Sequence, residues 1–588
     1  MEKDEDSVRF LGYPQPREGP EVPYSVTVKL NPVLRGIPLV VAAAVIATFD
    51  FITSYLWKNA GFDSLRKIKV LETYEPRYDP TVIPVTSETR AVGLRKILGG
   101  LPDRPSEKLG HCHSIADYHS AYKSGKLTPL AIARALLELI QVPSKHSVAF
   151  LAVRRARILA EAEESTKRYR EGTSLSMLDG VPVAVKDEAD LAGCSKSLGS
   201  SRSFTGPSEN TSWCVQKWEE AGAIVIGKLN MHEIGLDTTN NNPAHGTPLN
   251  PHNPHYYPGG SSGGSAYAVC TGLVPITHGA DGGGSIRIPS AYCGIYGLKP
   301  THGRISGSPT LRLAPTCGAL GPLASNINDL ELAYWTMAAP DPSNPVSADF
   351  APPGTAYPIR PRVLGIYKPW FDRADPAVLN ACYAALQLYE AQGYTLVDIS
   401  IPYLAEGQTA HAMTILAEIG SGLFHNVTGL SAPNKILISV SAQTPASDFL
   451  LAQKLRNLLM QHLAFLFKKH PGLIVVTPTT PNAGRHISGG KGDLQYGVSD
   501  ANMSMRSMEY VWLANFTGCP ALSIPVGYAD PLEGEGRIPI GMMGMGEWGR
   551  EDELIEWGKS GEGLEGASAK PQNWVDVWEC AKMEMAGR

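Results

Sequence analysis

The sequence predicts an α/β fold with a central mixed, largely parallel sheet, and three stretches predict it. Residues 181–186, VPVAVK, form a β-branched run whose two faces both read as buried. A helical segment, TSWCVQKWEEAG, then leads into a second strand, AIVIGKLN at 223–230. The same succession returns at 362–402, where a strand, a helix ending at Gly393 and another strand follow one another. A chain of 588 residues can bury a large core as one domain with appendages or as two to three domains. Only 19% of residues are charged and the net charge is -5, so nothing indicates a nucleic-acid partner. Nine scattered cysteines without a CxxC pair suit a reducing, cytoplasmic setting. No metal is expected, because Cys112, between His111 and His113, has no second ligand pair at finger-like spacing.

In chain order, MEKDEDSVRF lacks the basic start and early apolar core of a signal peptide. Pro14, Pro16, Pro20, Pro23 and Pro32 punctuate an extended arm. The run IPLVVAAAVIATFDFITSYLW, 37–57, is apolar without interruption only from Ile37 to Phe49, and Asp50 then intrudes. A membrane span takes ~20 mostly apolar residues and a charge at its centre costs at least ~2.5 kcal/mol. The expectation is therefore a buried or groove-packed helix, with membrane association through 37–57 as the alternative. Residues 1–85 read as an N-terminal extension and 86–588 as the main domain, opened by an irregular connector over 86–110. Ser114 caps a helix ended by Gly125, Thr128-Pro129 opens another, and a third runs from Val153 to Arg170.

At Asp179-Gly180 the period switches, and the strand that follows ends in Lys186. A lysine between two buried faces needs partners or loses its proton. His245, His252 and His255, in the Asn- and Pro-rich loop over 237–260, read as polar loop groups. Two glycine-rich serine clusters follow within 259–300, separated by about two turns of small apolar residues. Apolar flanks argue against a linker and for backbone held close to a ligand. Gly260-Ser261-Ser262-Gly263-Gly264 matches G-x-S-x-G, but PHNPHYYPG before it cannot be the strand that a nucleophile elbow requires. No Gly-Lys-Ser/Thr closes a phosphate loop. Downstream, the helices within 403–470 read as core more than as an acyl pocket, 473–481 and 521–527 as strands, and the tail as a helix packed through Trp574 and Trp578.

GVPVAVKD (180–187), GTPLNP (246–251), PGGSSGGSA (258–266), DGGGSIRIPSAYCGIYGLKPT (281–301) and NFTGCPALSIPVG (515–527) resemble the amidase signature family, over roughly residues 110 to 560. The resemblance implies a single three-layer α/β/α domain with its core at about 178–305, and hydrolysis of a carboxamide C–N bond. It implies Ser285 as nucleophile, Ser261 as bridging serine behind a cis Gly260–Ser261 bond, and Lys186 as terminal base. Physically, a neutral buried lysine can accept a proton that a serine hydroxyl relays. The backbone amides of Gly282, Gly283, Gly284 and Ser285 are expected to form an oxyanion hole. The family more often carries threonine where Gly282 stands. Asp281 and Arg287 are expected to brace this loop, Ser262 to support the triad, and the backbone of Gly235 to lie beside substrate.

No cofactor is implied, the expected partner is a small-molecule amide, and the reading admits a homodimer. Two alternatives stand beside the amidase: the glutaminase subunit of a tRNA-dependent amidotransferase, and an inactive amidase-like binding protein. The N-terminal extension and the apolar helical region favour a bulky or apolar acyl group.

Overall fold

Eleven strands form one mixed sheet in the computed structural model, which describes residues 9–26, 31–85, 112–354, 360–424, 426–564 and 569–587. The connector read over 86–110, and His111 with it, lies outside the described residues. The first six strands are β1 (Phe150–Val153), β2 (Pro182–Lys186), β3 (Ile224–Leu229), β4 (Ile276–Asp281), β5 (Tyr296–Lys299) and β6 (Ala319–Ala324). The remaining five are β7 (Val363–Ile366), β8 (Thr395–Asp398), β9 (Leu473–Pro478), β10 (Ala521–Ala529) and β11 (Ile538–Met545). Across the sheet the order is β8-β7-β9-β11-β10-β5-β6-β4-β2-β3-β1.

Neighbours are parallel in two groups, β8-β7-β9 and β4-β2-β3. The other junctions are antiparallel. The parallel groups contain the helix-then-strand successions legible in the sequence. Trp213–Glu220 carries the chain from β2 to β3, and Pro376–Ala391 carries it from β7 to β8. Every residue of β2, β3, β4, β5 and β6 is buried, as expected of a sheet covered on both faces.

The helix starts follow local chemistry. Ser114 and Asp117 form a reciprocal capping box at Ile115–Lys123, and Thr128 caps Pro129–Leu139 with proline at its first position. The tail helix covers Val577–Ala586; Trp578 belongs to it and stacks on His113, whereas Trp574 precedes it.

The apolar run at 37–57 is not one buried helix. It forms α1 (Gly36–Thr48) and α2 (Asp50–Asn59), bent by 106° at Phe49. Asp50 stands in the first turn of α2, where a carboxylate meets the positive end of the helix dipole. Leu39, Ala43, Thr53 and Trp57 face inward, while Ile37, Val41, Phe51 and Tyr55 are exposed, Phe51 to 72%. Among the described residues no single helix is long and apolar enough to cross a membrane. Ion pairs Arg35–Asp493 and Arg66–Asp448 and the Trp57 Nε1 to Thr444 Oγ1 bond at 3.0 Å tie this segment to the body.

Candidate active site

Parallel pairing places two strand ends side by side. Val183 lies opposite Ile276 and Val185 opposite His278, so Lys186 at the end of β2 and Asp281 at the end of β4 emerge at one sheet edge. After Asp281 the chain turns through three glycines to Ser285 and enters α3 (Arg287–Cys293). Gly284 has φ +107°, and a Cβ there would lie 2.5 Å from Val511. The other serine loop enters the helix Gly263–Cys270, and its Gly260–Ser261 peptide is cis, as the resemblance implied. A Cβ on Gly260 would lie 2.6 Å from the backbone nitrogen of Asn240, so only glycine lets the two loops approach.

Lys186 Nζ donates to Ser261 Oγ at 2.8 Å and to the Ala280 carbonyl at 3.2 Å, and both side chains are 1% exposed. Burial lowers the lysine pKa, while Glu188 and then Asp281 oppose that shift. Ser262, fully buried, donates its hydroxyl to the same Ala280 carbonyl at 3.2 Å and its amide to the Ser285 carbonyl at 3.1 Å. It thereby ties the two serine loops together. Ser285 lines the cavity together with Ser261, but among the described residues no hydrogen bond joins their hydroxyls. Such bonds commonly tighten only when substrate binds. Gly235, with φ +78°, lies beside Ser261: a Cβ there would be 3.8 Å from Ser261 Oγ.

Asp281 braces the nucleophile loop. Its carboxylate accepts from the amides of Gly284 at 2.7 Å and Ile286 at 2.9 Å, from Arg287 Nε at 3.1 Å and Nη2 at 2.9 Å, and from Asn515 Nδ2 at 2.9 Å. Burial would raise its pKa, but Arg287 above all, with the donated bonds, holds it well below the usual carboxylate range. This geometry corrects one expectation. The Gly284 amide is committed to Asp281, so of the four amides expected to form the oxyanion hole it is not free to serve.

Sequence reasoning missed His411. It lies on α4 (Leu404–Gly420), is buried, and donates Nε2–H to the Gly282 carbonyl at 2.8 Å. A carbonyl can only accept, which fixes the tautomer; burial lowers the pKa of this histidine to about 4. A Cβ on Gly282 would meet Ile415 of the same helix at 2.8 Å. Ile415 thus occupies the room into which a side chain at 282 would extend.

A cavity of about 300 Å³ opens from Ser261 and Ser285. Thr409, Ala412, Ile415, Leu416 and Ile419 from α4 line it, with Ile436, Leu437 and Val440 from α5 (Ala432–Ser441). The expectation that helices within 403–470 are plain core therefore holds for α6 (Ala446–Lys469), which lines none of the cavity, and not for α4 and α5. Pro32, Leu34, Ile46, Leu56 and Phe62 of the N-terminal extension complete the apolar wall. Ile234, another lining residue, adopts φ +49°, a strained conformation for a β-branched side chain. Nothing in its sequence neighbourhood signals this.

Tyr256–Tyr257 does form a two-residue strand, against Arg485–His486, contrary to the sequence expectation. Pro258, Gly259 and Gly260 still separate it from Ser261, so no strand-to-helix elbow arises. His252 and His245 bond to backbone carbonyls at 3.2 and 2.8 Å. His255 and His486 both pair with Glu533 at the surface, away from the cavity; among the described residues this trio alone brings its ligand atoms within 4.8 Å, close enough to share a metal ion.

The Amidase family model matches residues 131–555. The chain is 32% identical over 563 residues to a fatty acid amide hydrolase of Medicago truncatula, covering 90% of this chain and 91% of that one. It is 31% identical over 463 residues to a glutamyl-tRNA(Gln) amidotransferase subunit of Thermus thermophilus, covering 73% and 93%. A chain solved in work on a vestigial protein complex and the origins of an s-triazine catabolic enzyme superposes with TM-score 0.68 at 28% identity, over 78% of this chain and 99% of that one. A solved amidase superposes with TM-score 0.66 at 24% identity, over 77% and 100%, a likeness of fold.

Proposed function

Because this chain belongs to the amidase signature family and is an amide-hydrolysing enzyme, we propose that it cleaves amides of long or bulky apolar acyl groups through Ser285, Ser261 and Lys186. The observation that carries the reading is the 2.8 Å bond from Lys186 Nζ to Ser261 Oγ at the floor of a cavity with apolar walls.

Ser285 Oγ attacks the amide carbon while its proton passes to Ser261 and the proton of Ser261 passes to Lys186 Nζ. The oxyanion meets the amides of Gly282, Gly283 and Ser285, and losing one such donor typically costs ~10²–10³ in rate. When the C–N bond breaks, the departing nitrogen takes a proton from Ser261, which recovers one from Lys186. Water then attacks the acyl-enzyme by the same relay, and the carboxylic acid leaves. Lysine must be unprotonated to begin, and its burial favours that state.

The apolar side chains that α4, α5 and the N-terminal extension contribute support an apolar acyl group over glutamine, with Glu188, Asp237, Arg312 and Asp500, besides Lys186 and Asp281 of the site itself, as the charged members of a lining that is otherwise largely apolar. The exposed apolar faces of α1 and α2 adjoin wall residues Ile46 and Leu56, which supports substrate entry from a lipid surface over a wholly cytoplasmic encounter. Hydrolysis of an amide panel graded by acyl length, with fluorophosphonate labelling of Ser285, tests the proposal. The expected result is a kcat/KM that climbs with acyl length and labelling lost in Ser285→Ala. Glutamine-dependent ammonia release with no activity on acyl amides would overturn it in favour of the amidotransferase reading.

A further inference from the structure

Lys186 Nζ lies 3.4 Å from Glu188 Oε2, in the turn that follows β2. Of the three oxygens about the amine, those of Ser261 and Ala280 are neutral and only that of Glu188 carries charge. The other carboxylates nearby are engaged elsewhere. Asp281 is held by Arg287 at 2.9 Å, and Asp187 by Lys228 at 2.8 Å, all four side chains being almost wholly buried. His232 and His278, also beside Lys186, are pushed down to about 4 and about 3 by burial and stay neutral. Arg312 faces Glu188 from the cavity wall. The Glu188 side chain is 12% exposed, lines the cavity, and among the described residues makes no other ion pair.

We propose that Glu188 is a positioning residue for catalysis, its carboxylate holding the Lys186 amine over Ser261 and stabilising the ammonium that forms there whenever Lys186 takes the serine proton. The inference rests on the Ser-Ser-Lys reading above. A buried amine resists charge, so each protonation during acylation and deacylation is uphill unless an anion waits beside it. The buried aspartate of a Ser-His-Asp triad does this for histidine. Glu188 stands outside the proton path: the proton of Ser285 passes to Ser261 while that of Ser261 passes to Lys186, and on C–N cleavage Ser261 protonates the departing nitrogen and recovers a proton from Lys186.

The test is the pH profile of Ser285 labelling by a fluorophosphonate, and of kcat and KM on one amide, for wild type, Glu188→Gln, Glu188→Asp and Lys186→Ala. Removing the anion disfavours the ammonium, so Lys186 sheds its proton at lower pH. Glu188→Gln is expected to move the acid limb to lower pH and to depress the alkaline plateau of kcat about tenfold or more, the scale of one hydrogen bond to a charged group. KM stays near wild type, and Glu188→Asp recovers part of the plateau. An unmoved limb and plateau in Glu188→Gln, or a pH-independent loss with raised KM, overturns the inference. If Glu188→Gln does not fold, as its melting curve would reveal, Glu188→Asp decides: a wild-type limb and plateau with a side chain one carbon shorter also overturns it. Lys186→Ala separates the two ideas. A wild-type acid limb in that variant removes lysine as the base, whereas a limb lost there but unmoved in Glu188→Gln removes Glu188 alone.

Discussion

Replacing Asp281 by Asn tests whether charge holds the loop that carries Ser285. Asp281 and Arg287 are both 0% exposed, so neither charge has water as a fallback. Both carboxylate oxygens are in use: Oδ1 accepts from Gly284, Arg287 Nη2 and Asn515, and Oδ2 from Ile286 and Arg287 Nε. An asparagine has one acceptor oxygen, and its NH₂ must then face donors on the other side. Breaking a buried pair from one side costs ~3–5 kcal/mol, because the surviving charge stays buried without its partner. Differential scanning fluorimetry should record a melting temperature lower by about 2–4 °C, since roughly 2.1 cal/mol/K per residue over 588 residues makes the unfolding entropy large. Fluorophosphonate labelling of Ser285 should slow in parallel, since the Gly284 and Ile286 amides flank the nucleophile. Removing both charges, in Asp281→Asn/Arg287→Met, should recover part of the stability, with a coupling energy of about 1 kcal/mol or more. The reasoning is refuted if Asp281→Asn melts within about 0.5 kcal/mol of wild type, the range of inconsequential surface changes, and labels at the wild-type rate.

Three further outcomes are expected. Lys186→Ala should lose Ser285 acylation far more at neutral than at alkaline pH, as followed by labelling rate, because solvent base replaces the amine only when it is abundant; an equal loss at every pH would count against lysine as base. Buried His146, His232 and His411 are held to about 4 and His278 to about 3, burial being the leading cause. With an unfolded value of about 6.5, the unfolded chain binds more protons below that pH, so this stability is complete above about 6.5 and is lost as pH falls toward 4. Melting temperature should therefore drop between those limits, and His278→Gln should flatten the drop. Ile436→Trp, on the cavity wall, should lower kcat/KM for long-chain amides at least tenfold while leaving short-chain amides within about twofold, the filled volume mattering only to the longer group; parallel losses on both would show that α5 does not line the acyl site.

Much of the site was legible because its parts are local. Lys186 ends a β-branched run, and each serine sits in a glycine cluster whose backbone must pass close to something, so residue type and spacing carried the signal. The expected helix starts at Ser114 and Thr128 rest on side-chain caps within the same turn. The residues that escaped reading act across long separations. His411 reaches Gly282 over 129 positions. Asn515 reaches Asp281 over 234. The apolar stripes of α4 and α5 have the same period whether they face core or cavity, and only their packing distinguishes the two.

By itself the sequence determined the alternation of helices and strands, the parallel groups that such alternation dictates, and which two serines and which lysine to propose for the site, since propensity, turn chemistry and motif spacing are properties of contiguous residues. The tertiary structure alone decided that Gly284 gives its amide to Asp281, that the extension at 31–62 walls the cavity, that the apolar run breaks at Phe49, and that Glu188 lies beside Lys186 with no other ion pair among the described residues. Each of those depends on which distant atoms share a donor, a void or a charge, and a linear pattern does not encode distance across the fold.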